Sequence, residues 1–287
     1  MGDQADSLRR QFGHLPEINQ AKTIAVVSGK GGVGKSNFAL NFSLSLLNRG
    51  KKVLLVDLDV GMGNIDILLG LNAPSTIIDM LNKDLSIHDI IETGPNQLAY
   101  ISGGTGISQF FSLDEQKKEF FYQQYRTLLV DYDYIIFDMG AGATDDSLFF
   151  VLAADECIVI TTPEPTSITD AYSMIKHIVN KDQNLPIYVV MNRCMSKKIG
   201  QKALDQFQQI IARFLTIEIN KMGILPDDKI VSLAVMRQTP YLLLNRRAPI
   251  SQAMRQLTIN YLTKGDEQLT KKPFSFVNKL KQFMRER

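Results

Sequence analysis

The stretch Gly29, Lys30, Gly31, Gly32, Val33, Gly34, Lys35, Ser36 restricts this chain more than any other. The apolar run from Thr23 to Val27 before it predicts a buried strand, and Asn37 to Leu47 behind it, with apolar residues at helical spacing, predict a helix. Strand, loop and helix in this order are the context of a phosphate-binding loop. Its glycines let consecutive backbone N–H groups turn toward one anion, and the positive end of the helix faces the same point. Lys35 then reaches the outer phosphates and the Ser36 hydroxyl can ligate Mg²⁺. The predicted ligand is a nucleoside triphosphate held along Gly29 to Asn37.

Further apolar, β-branched runs recur at Lys52 to Val56, Leu98 to Ile101, Tyr134 to Phe137, Glu156 to Thr161 and Ile187 to Met191. Helical stretches lie between them, at Leu113 to Leu129, Ser167 to Val179 and Gln201 to Phe214. This alternation predicts an α/β fold with a doubly wound, mostly parallel sheet covered on both faces. A chain of 287 residues could form one large domain or two small ones, and the repeated pattern without a long linker favours one. In such sheets ligands bind beyond the carboxyl ends of the strands.

Informative residues do follow those runs. Asp57 and Asp59 leave the second strand at alternate positions, so both can point toward one metal and one water. Asp138 ends the Tyr134 to Phe137 strand and is followed by Met139, Gly140, Ala141 and Gly142, an acid able to hold Mg²⁺ through water beside a turn free to move. Asn192 and Arg193 end another strand, and Pro226 and Asp227 follow Ile217 to Ile224; alone, both pairs are common turn dipeptides.

The loop with its second lysine, Lys30, resembles the deviant phosphate loop of the MinD/ParA ATPases, P-loop NTPases of the SIMIBI class. The resemblance covers about residues 22 to 262. It implies ATP and ADP as ligands, Mg²⁺, slow hydrolysis and an ATP-dependent homodimer in which Lys30 crosses to nucleotide on the other subunit. It also implies that Lys35 and Lys30 neutralise phosphate charge, Asp57 binds the Mg²⁺ hydration shell, Asp59 positions the attacking water, and Asn64 lies toward the partner. Gly140, Ala141 and Gly142 match the second switch, although Met139 replaces the usual threonine or serine. Asn192, Arg193, Pro226 and Asp227 match adenine-pocket elements. The Asn/Thr-Lys-x-Asp signature of many GTPases is absent.

The two ends carry further signals. Asp3 to Arg10 is similar to the leader of flagellar MinD-like ATPases, the FlhG and YlxH group, which implies activation of the GTPase FlhF through Gln4, Leu8 and Arg9. The same likeness implies the switch-complex proteins FliM and FliN or FliY as partners, and control of flagellum number and placement. From Lys271 to Arg287 six basic residues stand against one acid, Glu286. There Phe276, Val277, Leu280, Phe283 and Met284 form one helical stripe, with Lys279 and Lys281 on the other face. An amphipathic helix of this kind suits an anionic membrane surface. The alternative is a helix packed on its own domain, and both hold if the stripe is exposed only in the ATP-bound dimer. The predicted organisation is a partner-activating segment over residues 1–20, an ATPase domain over 21–264 and a membrane-targeting tail over 265–287.

Bulk properties narrow the class. A formal net charge of +2 gives no global nucleic-acid footprint, so any such contact must be local, and the tail and the leader argue against a DNA-segregation ATPase. Cys157 and Cys194 lack a Cys-x-x-Cys pair, so an iron–sulfur carrier built on the same loop is not supported. His14, His88 and His177 have no metal-ligand spacing. No apolar run approaches ~18 residues, and the expected location is the cytoplasm, with peripheral attachment to the inner membrane face in the ATP state. A division-site MinD protein is the nearest alternative, and the leader counts against it.

Overall fold

Strand β1 (Lys22–Ser28) is buried along nearly its whole length, as an unbroken apolar run requires. It pairs in parallel with β5 (Tyr134–Ala141) on one side and β6 (Glu156–Thr161) on the other. The computed structural model describes residues 20–59, 65–103, 114–142, 145–266 and 276–285. Among these, eight strands form one sheet in the order β3-β4-β2-β5-β1-β6-β7-β8, adding β2 (Val53–Leu58), β3 (Glu92–Thr93), β4 (Ala99–Ile101), β7 (Ile187–Cys194) and β8 (Asn220–Pro226). Every pairing is parallel except β3 with β4. The two-residue β3 closes that edge, and so short a strand offers little to further pairing.

Alternate residues of the central strands feed two apolar layers, the consequence of a period of two in a sheet buried on both faces. Ile24, Val26, Leu55, Ile136 and Ile158 face α1 (Lys35–Leu47) and α10 (Pro249–Asp266). There Phe38 stacks on Phe42 at 5.4 Å, and Phe42 meets the edge of Tyr261 at the same separation. The buried Asn41 of α1 accepts the backbone N–H of Leu242 at 3.1 Å and so anchors the short α9 (Tyr241–Leu244). Ala25, Val27, Leu54, Val56 and Phe137 face the other layer, built from α4 (Glu115–Asp131), α5 (Asp145–Ala153), α6 (Pro165–Lys181) and α7 (Lys197–Leu215). The remaining helices are α2 (Ile65–Leu69), α3 (Ile77–Lys83) and α8 (Lys229–Met236).

The C-terminal helix α11 (Phe276–Arg285) belongs to this second layer. Phe276 sits among Tyr125, Phe137 and Phe150, with ring centroids 4.7, 5.1 and 6.2 Å away. Phe276, Val277 and Leu280 are each at most 2% exposed. Polar contacts pin the helix from outside: Lys281 bonds Glu119 at 2.5 Å and lies over the Tyr122 ring, while Lys279 donates to the Ala154 carbonyl at 3.1 Å. An apolar stripe free to meet a bilayer, as the sequence predicts, is therefore not the arrangement found. A stripe at helical spacing specifies that one face is buried, not what buries it, and here the groove between α4 and α5 does so. The side chains of Phe283 and Met284 lie outside the described residues. Helix α10 also runs through position 264, the expected domain boundary, to Asp266. No helix among the described residues is long and apolar enough to cross a membrane.

Candidate functional site

The carboxyl ends of β1, β2 and β5 converge because these strands are neighbours in register, with Asp57 directly opposite Asp138. The loop leaving β1 is fixed from both sides. A side chain at Gly29 would run into the backbone carbonyl of Asp170, so α6 packs directly on the start of the loop. Gly34 has φ of 95°, the left-handed turn that starts α1, and its carbonyl accepts the Phe38 N–H at 2.9 Å. The Asn192 amide donates to the Val33 carbonyl at 2.8 Å, tying the loop to the end of β7.

Lys35, only 6% exposed, stands between two carboxylates. Its ammonium bonds Asp138 at 2.6 Å and lies 3.9 Å from Asp59, while donating to the Ser36 hydroxyl at 3.3 Å. Asp138 is fully buried, and its second oxygen has no hydrogen-bond partner among the described residues. A buried acceptor of this kind calls for a donor. Lys30 points away from this pair: its ammonium donates to the Thr166 hydroxyl at 3.1 Å at the exposed start of α6.

Asp57, expected at a magnesium hydration shell, is 1% exposed and spends both oxygens on backbone. One accepts the N–H of Asp59 at 3.0 Å and the other that of Ile65 at 3.1 Å. The second switch is tied to the loop strand, since Gly142, with φ of 83°, donates its N–H to the Ser28 carbonyl at 3.0 Å. Ala141 lies opposite Ser28 across a bulge, and a β-carbon on Gly31 would meet the Ala141 methyl at 3.9 Å. Gly140 precedes them at the strand end. Met139 turns into the apolar layer beneath and is 1% exposed, so it occupies a core position.

A cavity of about 880 Å³ opens beside Gly34 and Asn37. Asn192, Arg193, Pro226 and Asp227 all line it, so the structure brings together the two dipeptides that the sequence left far apart. The Asp227 N–H donates to the Cys194 carbonyl at 3.0 Å, joining the two segments. Thr162, Pro163 and Glu164 line the same cavity and went unnoticed in the sequence, although they follow a strand end like the others. Asp228, also unmarked, caps α8 through the Ile230 N–H at 3.0 Å and accepts the Ile250 N–H at 3.2 Å. Among the described residues no group of three histidine, cysteine or acidic side chains could hold a metal unaided. Magnesium bound through phosphate and water needs no such group, and the unpartnered Asp138 oxygen fits that mode. Gln4, Leu8, Arg9 and Asn64 lie outside the described residues.

A phosphate loop opening α1, a lysine between two strand-end acids and a cavity beside the loop at the ends of the next strands define a P-loop nucleotide hydrolase on a doubly wound sheet. The sequence profile of the AAA domain family matches residues 21–188. The antiactivator FleN of Pseudomonas aeruginosa is 32% identical over 78% of this chain and 80% of its own. The flagellum site-determining protein YlxH of Helicobacter pylori is 30% identical over 82% of this chain and 80% of its own. The chain belongs to the ATP-binding MinD/ParA family and, within it, to the flagellar group that includes FleN and YlxH. Among solved structures, the MinC:MinD cell division protein complex of Aquifex aeolicus matches with a TM-score of 0.68 at 26% identity, over 85% of this chain and 96% of that one. The cell division ATPase MinD of Pyrococcus furiosus matches with a TM-score of 0.69 at 24% identity, over 85% and 99%, and shares the fold.

Proposed function

We propose that this protein is a Mg²⁺-dependent ATPase that dimerises with ATP, attaches to the inner face of the cell membrane in that state, and helps set flagellum number and placement. The observation that carries the hydrolytic reading is Lys35, held at the head of α1 between Asp59 and Asp138. In that position its ammonium can turn from Asp138 to the β and γ oxygens, and Asp59 is left beside the γ position to orient water. Ser36 and the second oxygen of Asp138 would hold Mg²⁺, which supplies charge neutralisation on the phosphates. Adenine would enter the cavity at Asn192, Arg193, Pro226 and Asp227. Lys30 stands on the outer side of the loop, where exchanging the Thr166 hydroxyl for a phosphate on a second subunit costs one exposed hydrogen bond.

Hydrolysis then acts as a timer, returning the dimer to monomers with ADP. Residues 1–20 are assigned to activation of FlhF, and FliM and FliN or FliY are the further partners. Membrane attachment requires α11 to leave its groove, because Phe276, Val277 and Leu280 cannot fill the core and enter lipid together. Turnover of ATP, followed with the purified chain, tests the central claim: slow ATP-specific hydrolysis is expected, and Asp59→Ala should slow it by about a hundredfold while ATP stays bound. Absence of ATP binding by calorimetry overturns the proposal. A peptide of residues 1–20 should raise GTP hydrolysis by FlhF, and a peptide without effect removes that partner.

A further inference from the structure

Asp57, marked in the sequence at a strand end, belongs with Ile65, Asp66 and Ser102 to a hydrogen-bonded group that the sequence does not link. The strands β2 and β4 are parallel neighbours, with Val56 opposite Ile101, so Asp57 and Ser102 leave the sheet side by side. The Asp57 carboxylate bridges backbone on two sides, taking the Asp59 N–H and the Ile65 N–H on separate oxygens. Asp66, the next residue along, accepts the Ser102 hydroxyl in a short hydrogen bond. Gly103 completes the packing, since a β-carbon there would stand 3.0 Å from the Asp57 carboxyl carbon. The end of β4 is thereby tied to the start of α2, and α2 through Asp57 to the backbone that carries Asp59. Asp57 and Ser102 are 1% and 6% exposed, which protects these bonds from water.

We propose that Asp57, Asp66 and Ser102 are positioning residues for hydrolysis: together they hold the backbone at Asp59 so that its carboxylate stays beside Lys35. Asp57 in this arrangement acts through Asp59 and not on magnesium. The proposal rests on the ATPase reading, so its test includes a measurement that needs no nucleotide. Ser102→Ala removes the Ser102 hydrogen bond and leaves Asp66 the Tyr100 hydroxyl alone, Ser102→Thr restores it, and Asp57→Asn leaves one acceptor where two N–H groups need one each. Amide hydrogen exchange over residues 57–66, followed by mass spectrometry on nucleotide-free protein, should quicken about tenfold in Ser102→Ala and Asp57→Asn and return to the parental rate in Ser102→Thr. Single-turnover ATP hydrolysis should fall about tenfold in the first two and recover in the third, with ATP affinity within twofold of the parent and an unchanged half-saturating Mg²⁺ concentration. Parental exchange rates in Ser102→Ala overturn the clamp. A higher Mg²⁺ requirement in Asp57→Asn overturns it too, returning that residue to the metal. If Asp57→Asn fails to fold, the Ser102 pair decides alone. A parent that never hydrolyses ATP defeats the functional reading, and the exchange measurement still decides the clamp.

Discussion

Lys35 and Asp138 form a buried ion pair at the head of α1, and each leaves the other exposed to a desolvation cost when removed. Lys35→Ala should therefore do two things at once: abolish useful ATP binding, and lower stability by about 3 kcal/mol because Asp138 is left charged and unpaired. Calorimetry with ATP and urea unfolding separate the two effects, and Lys35→Ala combined with Asp138→Asn should recover stability but not binding. A second buried acid lies at the opposite end of the sheet. Glu156 is 2% exposed; burial pushes its carboxyl up, and Lys22, 2.6 Å away, pulls it partly back. A carboxyl raised in the folded state favours folding below its unfolded value and loses that contribution as pH rises through the folded one. Lys22→Met raises it further, so the variant should be nearly as stable as the parent at low pH and about 1 to 2 kcal/mol less stable above the folded value. That figure is set below the loss for a fully buried pair because Lys22 is 34% exposed. Urea midpoints at pH 4, below the ordinary glutamate value of 4.5, and at pH 8 measure the difference.

Helix α11 is held by an apolar stripe within and by Lys281, Lys279 and their partners at the rim. Glu119→Lys sets an ammonium against Lys281 without altering the helix itself. It should weaken docking, so that flotation with anionic vesicles shows more membrane-bound protein without nucleotide than the parent does. Unchanged flotation would mean that release of α11 is not what limits attachment. This helix also marks where sequence stops being informative. Strands β1, β5 and β6 were legible because each is a continuous apolar run between turn residues, and the phosphate loop because its spacing is fixed by chemistry. The strand β3 was not, since two residues carry no period. Helices α5, α8 and α10 stand outside the stretches read as helical, although Asp228 before α8 and Pro249 opening α10 are helix-start residues that could have marked two of them. Within the site, the lysine, the acids and the two dipeptides that line the cavity were legible from their places after strands. Thr166 under Lys30 and Ser102 on Asp66 were not, because short polar side chains meet there only through sheet order and helix packing.

At the scale of the molecule, the proposed ATP-dependent dimer needs a surface on which the phosphate loop can meet a second copy. Lys30 leaves the monomer site and rests on α6, whose backbone also closes over Gly29, so loop and helix present one outward surface. Lys30→Ala should keep the parental melting temperature and fail to give an ATP-dependent dimer in sedimentation velocity; an undiminished dimer would place the contact elsewhere. The packing of Phe276 also bears on how the protein is made. Tyr125, Phe137 and Phe150 leave the ribosome well before the residue that fills the space between them, and at about 5 to 20 residues per second the interval is roughly 6 to 25 s. Helices α6 and α7 are added to the layer during that interval, and the aromatic slot stays open until Phe276 arrives. Such a slot is what holding chaperones bind and what neighbouring chains adhere to. A chain cut short before Phe276 keeps the slot open for its whole life, and its low yield in cells would reflect adhesion during synthesis and not the loss of a membrane anchor.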